Sequence, residues 1–280
     1  MKFLNILFAA ALFVPAAVSA QCRVKTSDRI AFLGDSITAQ GNRPAGYVNL
    51  VIETLAANGI KAVKIPAGMG GHRSTHMLKR LDKDVIAKKP QIMTLSCGVN
   101  DVWHGRAGVR LEDYKKNISA IVDKAQLAGI QVCILTATMI SENPAAANNR
   151  KLAAYNDFLR ELAKEKNCLL ADLNADMQKE LAALHAKYPG LKGNLLTVDG
   201  VHMNPLGDRM MARGILRAFG LTDEQIAKGE PIWQKKNWNQ TMSLPVQEYL
   251  KLAENAFAAG KTVPEYLKML VRQDIAAKSK

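Results

Sequence analysis

The chain predicts an α/β fold built on a parallel sheet covered by helices on both faces. Three observations carry that prediction. Short β-branched or apolar runs recur at Arg29–Leu33, Lys61–Ile65, Gln91–Ser96, Gln131–Thr136 and Cys168–Asp172. The stretches between them have helical period. The 280 residues are 48 % hydrophobic and 22 % charged, which excludes a disordered chain, a collagen-like repeat or a small disulfide scaffold. A chain of this size can bury the core of one large domain with an appendage and needs no metal staple.

The elements follow in order. Residues 1–20 read as a cleaved secretory signal. Met1-Lys2-Phe3 is a short positive start, Leu4 to Val14 is apolar, Pro15 breaks the run, and Val18-Ser19-Ala20 supplies the small residues of a cleavage site. The run is too short to span a bilayer comfortably, and no later segment is apolar enough to do so. A lipid anchor would need a cysteine directly after a small residue, whereas Cys22 follows Gln21. After the first strand, Val48, Ile52 and Leu55 form one helical stripe. Tyr114, Ile118, Ile121, Val122 and Ala125 form a second, and Leu152, Tyr155, Leu159 and Leu162 a third. Gly59 and Gly129 lie just past two of these, where helices stop. Residues 26–220 are thus read as the main domain. Beyond Phe219-Gly220 the strands cease, and residues 221–280 read as a helical extension packing through its aromatic and leucine residues. Its last helix begins at Thr262-Val263-Pro264-Glu265, with capping-box spacing.

The net charge is +13, yet residues 221–280 hold nine basic against seven acidic residues, so the excess belongs to the rest of the chain. The basic residues are scattered rather than striped with aromatics, which points to a solvated surface and away from nucleic acid. An exported, positively charged protein suits an accessible, acidic polymer. Of the four cysteines, Cys97, Cys133 and Cys168 lie in or beside strand-like runs, where cysteine acts as a small buried hydrophobe; a Cys133–Cys168 bridge stays open beside that reading.

The residues with chemistry follow the strands. Gly34-Asp35-Ser36-Ile37 follows the first, Ala67-Gly68-Met69-Gly70-Gly71 the second and Gly98-Val99-Asn100-Asp101 the third. Asp199-Gly200-Val201-His202 follows the apolar run Leu195–Val198. Ligands of open parallel sheets bind outside the carboxyl ends of the strands, so these motifs share one rim. A serine hydroxyl needs a neighbouring base, His202 can be that base, and Asp199 can hold its other ring nitrogen. The backbone N–H groups of Ser36 and Gly71 and the Asn100 amide can then bind an oxyanion. Competing motifs fail. Thr38 stands where an α/β-hydrolase elbow needs its second glycine. His72 and His76 have zinc-ligand spacing, but Arg73 replaces the glutamate a zincin needs, so no metal is expected.

Taken together these blocks resemble the SGNH hydrolases, also called GDSL esterases and lipases. Phe32-Leu33-Gly34-Asp35-Ser36-Ile37-Thr38 resembles the first block, with Ser36 as nucleophile. Gly71 matches the second-block glycine, Asn100 the third-block asparagine, and Asp199 with His202 the closing Asp-x-x-His. The resemblance spans residues 29–219. It implies a three-layer α/β/α sandwich with a five-stranded, flavodoxin-like parallel sheet, and ester hydrolysis without cofactor or metal. Ile37 replaces the usual leucine, Gly70 stands where serine is frequent, and His72-Arg73 where a small polar residue is frequent. Residues beyond 220 match no block. Trp103-His104 follows the third block and can wall the cleft, since an aromatic face stacks on a sugar ring; the other reading packs Trp103 against a helix. The expected substrate is a small acyl ester or acylated polysaccharide, with carbohydrate O-acetyl groups foremost. A lysophospholipase or thioesterase-like lipase of the same family is the alternative, and a non-catalytic glycan-binding protein is the reading from another class. No pattern sets an oligomeric state.

Overall fold

In the computed structural model, residues 22–239, 242 and 244–279 are described; the signal read at residues 1–20 lies outside them. Five parallel strands form one sheet: β1 (Arg29–Gly34), β2 (Val63–Gly68), β3 (Ile92–Ser96), β4 (Gln131–Leu135) and β5 (Leu169–Ala171). Their order is β2-β1-β3-β4-β5, the flavodoxin-like arrangement, with the direction of winding reversed between β1 and β3. Every residue of β3 is buried, as a central parallel strand covered on both faces requires. At the edge, β2 leaves Val63 and Pro66 exposed, and an edge strand tolerates a residue without an N–H.

The helices fall into two groups. Helix α1 (Ser36–Gly41) leads from β1 to α2 (Tyr47–Ala57). Next come α3 (Ser74–Asp84), α4 (Val99–Trp103), α5 (Leu111–Leu127) and α6 (Ala147–Glu165), followed by α7 (Leu173–Lys187) and α8 (Pro205–Ala218). Helices α3, α5 and α6 pack side by side, while α8 packs on α2 and α7. The predicted stripes are buried except at Ile52, which is partly so: Val48, Leu55, Ile118, Ile121, Leu152 and Leu159 each expose 1 % or less. Gly59 and Gly129 take positive φ (81° and 75°), the left-handed stop that glycine adopts without strain.

Three expectations change. The second strand runs later than predicted, so Ala67 and Gly68 belong to it. Gly68 pairs with Gly34, and a Cβ there would fall 2.3 Å from the Ala39 nitrogen; the glycine serves the close approach of α1, not a loop. The last strand is shorter than Cys168–Asp172, because Asp172 turns away to accept the Ala175 N–H and cap α7. Leu195–Val198 is not a strand of the sheet, and Thr197 makes a single antiparallel bridge to Met203. All four cysteines are free, including Cys133 and Cys168.

Past α8, the short helices α9 (Asp223–Ala227) and α10 (Glu230–Trp233) fold onto the same unit. The Trp233 indole N–H donates to the Leu50 carbonyl (3.3 Å), and Lys236 pairs with Glu53 (2.6 Å). This compact unit therefore extends to Asn237, beyond residue 220. A second unit starts at Trp238 and holds α11 (Val246–Ala258) and α12 (Val263–Lys278), which share a small core of Ala253, Ala256 and Val263. The Thr262 N–H donates to the Glu265 carboxylate (2.9 Å), as the capping-box spacing predicted. No helix among the described residues is long and apolar enough to cross a membrane.

The seam between α2 and α8 holds a buried carboxyl. Asp208 accepts the Tyr47 N–H at 2.9 Å, and burial pushes its pKa from 3.8 up to about 7, against the pull of that N–H and Arg43. The unfolded chain ionises there near 3.8, so unfolding releases a proton between the two values and stability falls as pH rises from about 4 to 7. D208N keeps an acceptor for Tyr47 but cannot ionise. Its melting temperature relative to the wild type is expected to rise from pH 4 to 7 and then level off. A pH-independent difference between the two melting curves contradicts this.

Candidate active site

The site forms where the order of the sheet reverses, outside the carboxyl ends of β1 and β3. Ser36 is the first residue of α1, and Asp35 caps that helix by accepting the Ile37 N–H at 2.9 Å. The turn from strand to helix is tight. A Cβ on Gly34 would meet the Thr38 hydroxyl at 1.9 Å. Arg80 braces the same end from α3, its guanidinium donating to the carbonyls of Gly34 and Ala67 at 2.8 Å each. Asp35 itself is buried, and burial, partly offset by the Ile37 N–H and by His202, raises its carboxyl to about 6.

His202 arrives from 166 residues away, on the loop between α7 and α8. Its Nε2 lies 2.8 Å from Ser36 Oγ and its Nδ1 lies 2.6 Å from Asp199 Oδ2. The other Asp199 oxygen accepts the N–H groups of Val201 (3.0 Å) and His202 (2.8 Å), so the carboxylate also shapes the turn that aims the ring. Burial works to raise the Asp199 pKa, but these backbone donors and the imidazole outweigh it, leaving the carboxyl below its ordinary value. An ionised Asp199 selects the tautomer with hydrogen on Nδ1, which leaves the Nε2 lone pair facing the serine hydroxyl.

Asn100 lies buried in α4. Its Nδ2 donates to the His72 carbonyl (3.2 Å) and to Asp35 (3.4 Å), which places the amide between the first and second motifs. Gly98 precedes it with φ 138°, and a Cβ there would fall 2.9 Å from Ala137 Cβ. Gly71 sits on the exposed turn after β2, also with positive φ (71°), next to the His72 that Asn100 holds. Trp103 remains 46 % exposed and its ring stacks with that of His104. His104 lies with Nε2 3.2 Å from Asn100 Oδ1, closing the amide's remaining side.

The structure therefore gathers Ser36, Asp199 and His202 into one bonded chain and sets Asn100 beside it. The His72–His76 pair has ring centroids 5.0 Å apart, but His76 Nδ1 accepts the Arg73 N–H at 3.2 Å at the start of α3. Among the described residues, no group of three or more His, Cys, Asp or Glu side chains is placed to hold a metal. Sequence reasoning missed two supporting residues. Asp101, given no role of its own in the third motif, is buried and accepts the Ser74 N–H (3.0 Å) and hydroxyl (2.6 Å), tying α4 to α3. Arg80 carried no signal beyond a helical charge.

A parallel sheet of this order with a serine, a histidine and a carboxylate on its rim defines the class of α/β/α-sandwich hydrolases. A sequence model of the GDSL-like lipase/acylhydrolase family matches residues 32–210, and the chain belongs to that family. It is a carboxylic ester hydrolase. An acetylxylan esterase of Geobacillus stearothermophilus is 28 % identical over 220 residues, covering 71 % of this chain and 96 % of that protein. The crystal structure of the acetyl xylan esterase AlAXEase is similar with a TM-score of 0.64 and 31 % identity, covering 68 % of this chain and 98 % of that one. The uncharacterized lipoprotein YqeF of Bacillus subtilis (strain 168) is 25 % identical over 232 residues, covering 73 % of this chain and 94 % of that protein.

Proposed function

We propose that this protein is an exported serine esterase that removes short acyl groups, carbohydrate O-acetyl groups foremost. The observation that carries the reading is the His202 ring, bonded on one side to Ser36 Oγ and on the other to Asp199. Ser36 Oγ attacks the ester carbonyl while His202 Nε2 takes its proton. The backbone N–H groups of Ser36 and Gly71 hold the resulting oxyanion, joined by the Asn100 amide as it turns one N–H away from its long 3.4 Å bond to Asp35. Collapse of the tetrahedral species breaks the bond to the leaving alcohol, which takes the proton back from His202. A water deprotonated by the same nitrogen then attacks the acyl-serine and releases the acid. Throughout, Asp199 stabilises the imidazolium.

The preference for acetyl esters is supported by the names of the relatives, acetylxylan esterase and acetyl xylan esterase. Trp103 offers a half-exposed ring at the rim on which a sugar can stack. Export is supported by the apolar Leu4 to Val14 run with its small-residue cleavage site, and one similar protein bears the name lipoprotein.

S36A is expected to lose on the order of 10³-fold or more of the turnover of p-nitrophenyl acetate; full activity in that variant contradicts the assignment. Acetate should be turned over faster than decanoate, and the reverse preference would favour the lipase-like alternative. His104 holds the Asn100 amide rather than the substrate. H104A is therefore expected to lower kcat about fivefold, the worth of one neutral hydrogen bond, with KM unchanged. H104Q should recover most of that loss. A raised KM at unchanged kcat would instead make His104 a substrate contact.

A further inference from the structure

We propose that Glu142 is a positioning residue whose carboxylate clamps the loop carrying Asp199 and His202. The inference rests on the Ser36–His202–Asp199 reading above. That loop adds no strand to the sheet, so the sheet's hydrogen-bond ladder cannot hold it, and the bridge between Thr197 and Met203 ties it only to itself. Yet a base must stand within hydrogen-bond reach of its nucleophile, and a displacement of about 1 Å can cost 10²-fold in rate.

Two neighbours supply the missing support. At the N-cap of α8, Asn204 donates its side-chain amide to the Leu195 carbonyl (2.9 Å) and its backbone N–H to that of Leu196 (3.0 Å). The second is the segment between β4 and α6. The Ser141 N–H donates to the Gly200 carbonyl at 2.7 Å. Glu142 then receives three donors: the N–H of Leu195 (2.5 Å) on Oε2, and the N–H of Leu196 (2.8 Å) and the Thr197 hydroxyl (2.6 Å) on Oε1. The Thr197 hydroxyl spends its hydrogen on Glu142, so its oxygen is free to accept the Gly200 N–H at 3.0 Å. One continuous path thus runs from the carboxylate through Thr197 to Gly200, which stands between Asp199 and His202.

Three converging donors call for an acceptor-only group. A carboxylate satisfies all three, and its charge strengthens each bond. The segment bearing Glu142 is itself held. Asn149 accepts the Ile140 N–H (2.8 Å) and donates to the carbonyls of Ile140, Ser141 and Asn143. Contact between the two segments is close at backbone level. Gly200 has φ 93°, and a Cβ on it would come within 3.3 Å of Ser141 Cα.

The test compares E142A, E142Q and S36A on p-nitrophenyl acetate, with circular dichroism and thermal melting on the same preparations. Folded E142A is expected to lose about 10–100-fold in kcat with KM within about twofold. E142Q retains one oxygen for Leu196 and Thr197 and should recover part of the loss; a purely structural role would lower the melting temperature and leave the kcat of folded protein unchanged. A fall of less than about threefold, or a raised KM at unchanged kcat, overturns the proposal. If E142A does not fold, T197V decides: it removes only the relaying hydroxyl, and a kcat loss of about threefold or more supports the clamp while a smaller one overturns it. An active S36A would instead defeat the underlying reading of the site, whereas an inactive S36A beside a fully active E142A defeats the clamp alone.

Discussion

The bond between His202 Nε2 and Ser36 Oγ joins residues 166 positions apart, and the rest of the molecule is arranged so that it can form. Closing so long a loop is entropically expensive unless other contacts close it too. The second closure lies along the α2–α8 seam, where the Tyr47 N–H meets Asp208 across 161 residues. Asn204 caps α8 by accepting the N–H groups of Leu206 and Gly207, so the helix starts three residues after His202. The histidine is thereby carried on the entrance to a helix that is already docked against the first half of the chain.

Environment assigns different duties to chemically identical carboxyls around this bond. Asp35 and Asp101 are buried, and burial raises both pKa values even though each accepts hydrogen bonds from neighbouring helices. They serve as structural acceptors, one capping α1 and the other tying α4 to α3. Asp199 is more open, so its backbone donors and the imidazole outweigh a smaller burial penalty and hold its carboxyl below the ordinary value. Nearness to the serine alone does not set a carboxyl's charge; how far it is buried does.

Much of this was legible in the chain because a parallel sheet buried on both faces leaves a strong record. β1, β3 and β4 appear as short, largely apolar runs, and the helix stripes fall where the buried faces lie. The site blocks were legible because each supplies a chemically distinct group in a short window. Less visible were features whose cause is a close approach in space. Gly68 looks like a loop residue until α1 is seen pressing on it. Leu195–Val198 looks like a strand because Leu196 and Thr197 are buried, although they are buried as a loop held by Glu142 and Asn204. Glu142 and Arg80 act across 53 and 46 residues on backbone groups, which carry no sequence identity and so leave no pattern to read.

We propose that Ser36 is a nucleophile because His202 is its base. The most direct measurement treats the folded protein with diethyl p-nitrophenyl phosphate and maps the modified peptide by mass spectrometry. One equivalent of p-nitrophenolate should be released per chain, with the diethylphosphoryl group on Ser36, and H202A should label far more slowly. Modification of a different serine, or an equal rate at Ser36 in H202A, would contradict the account.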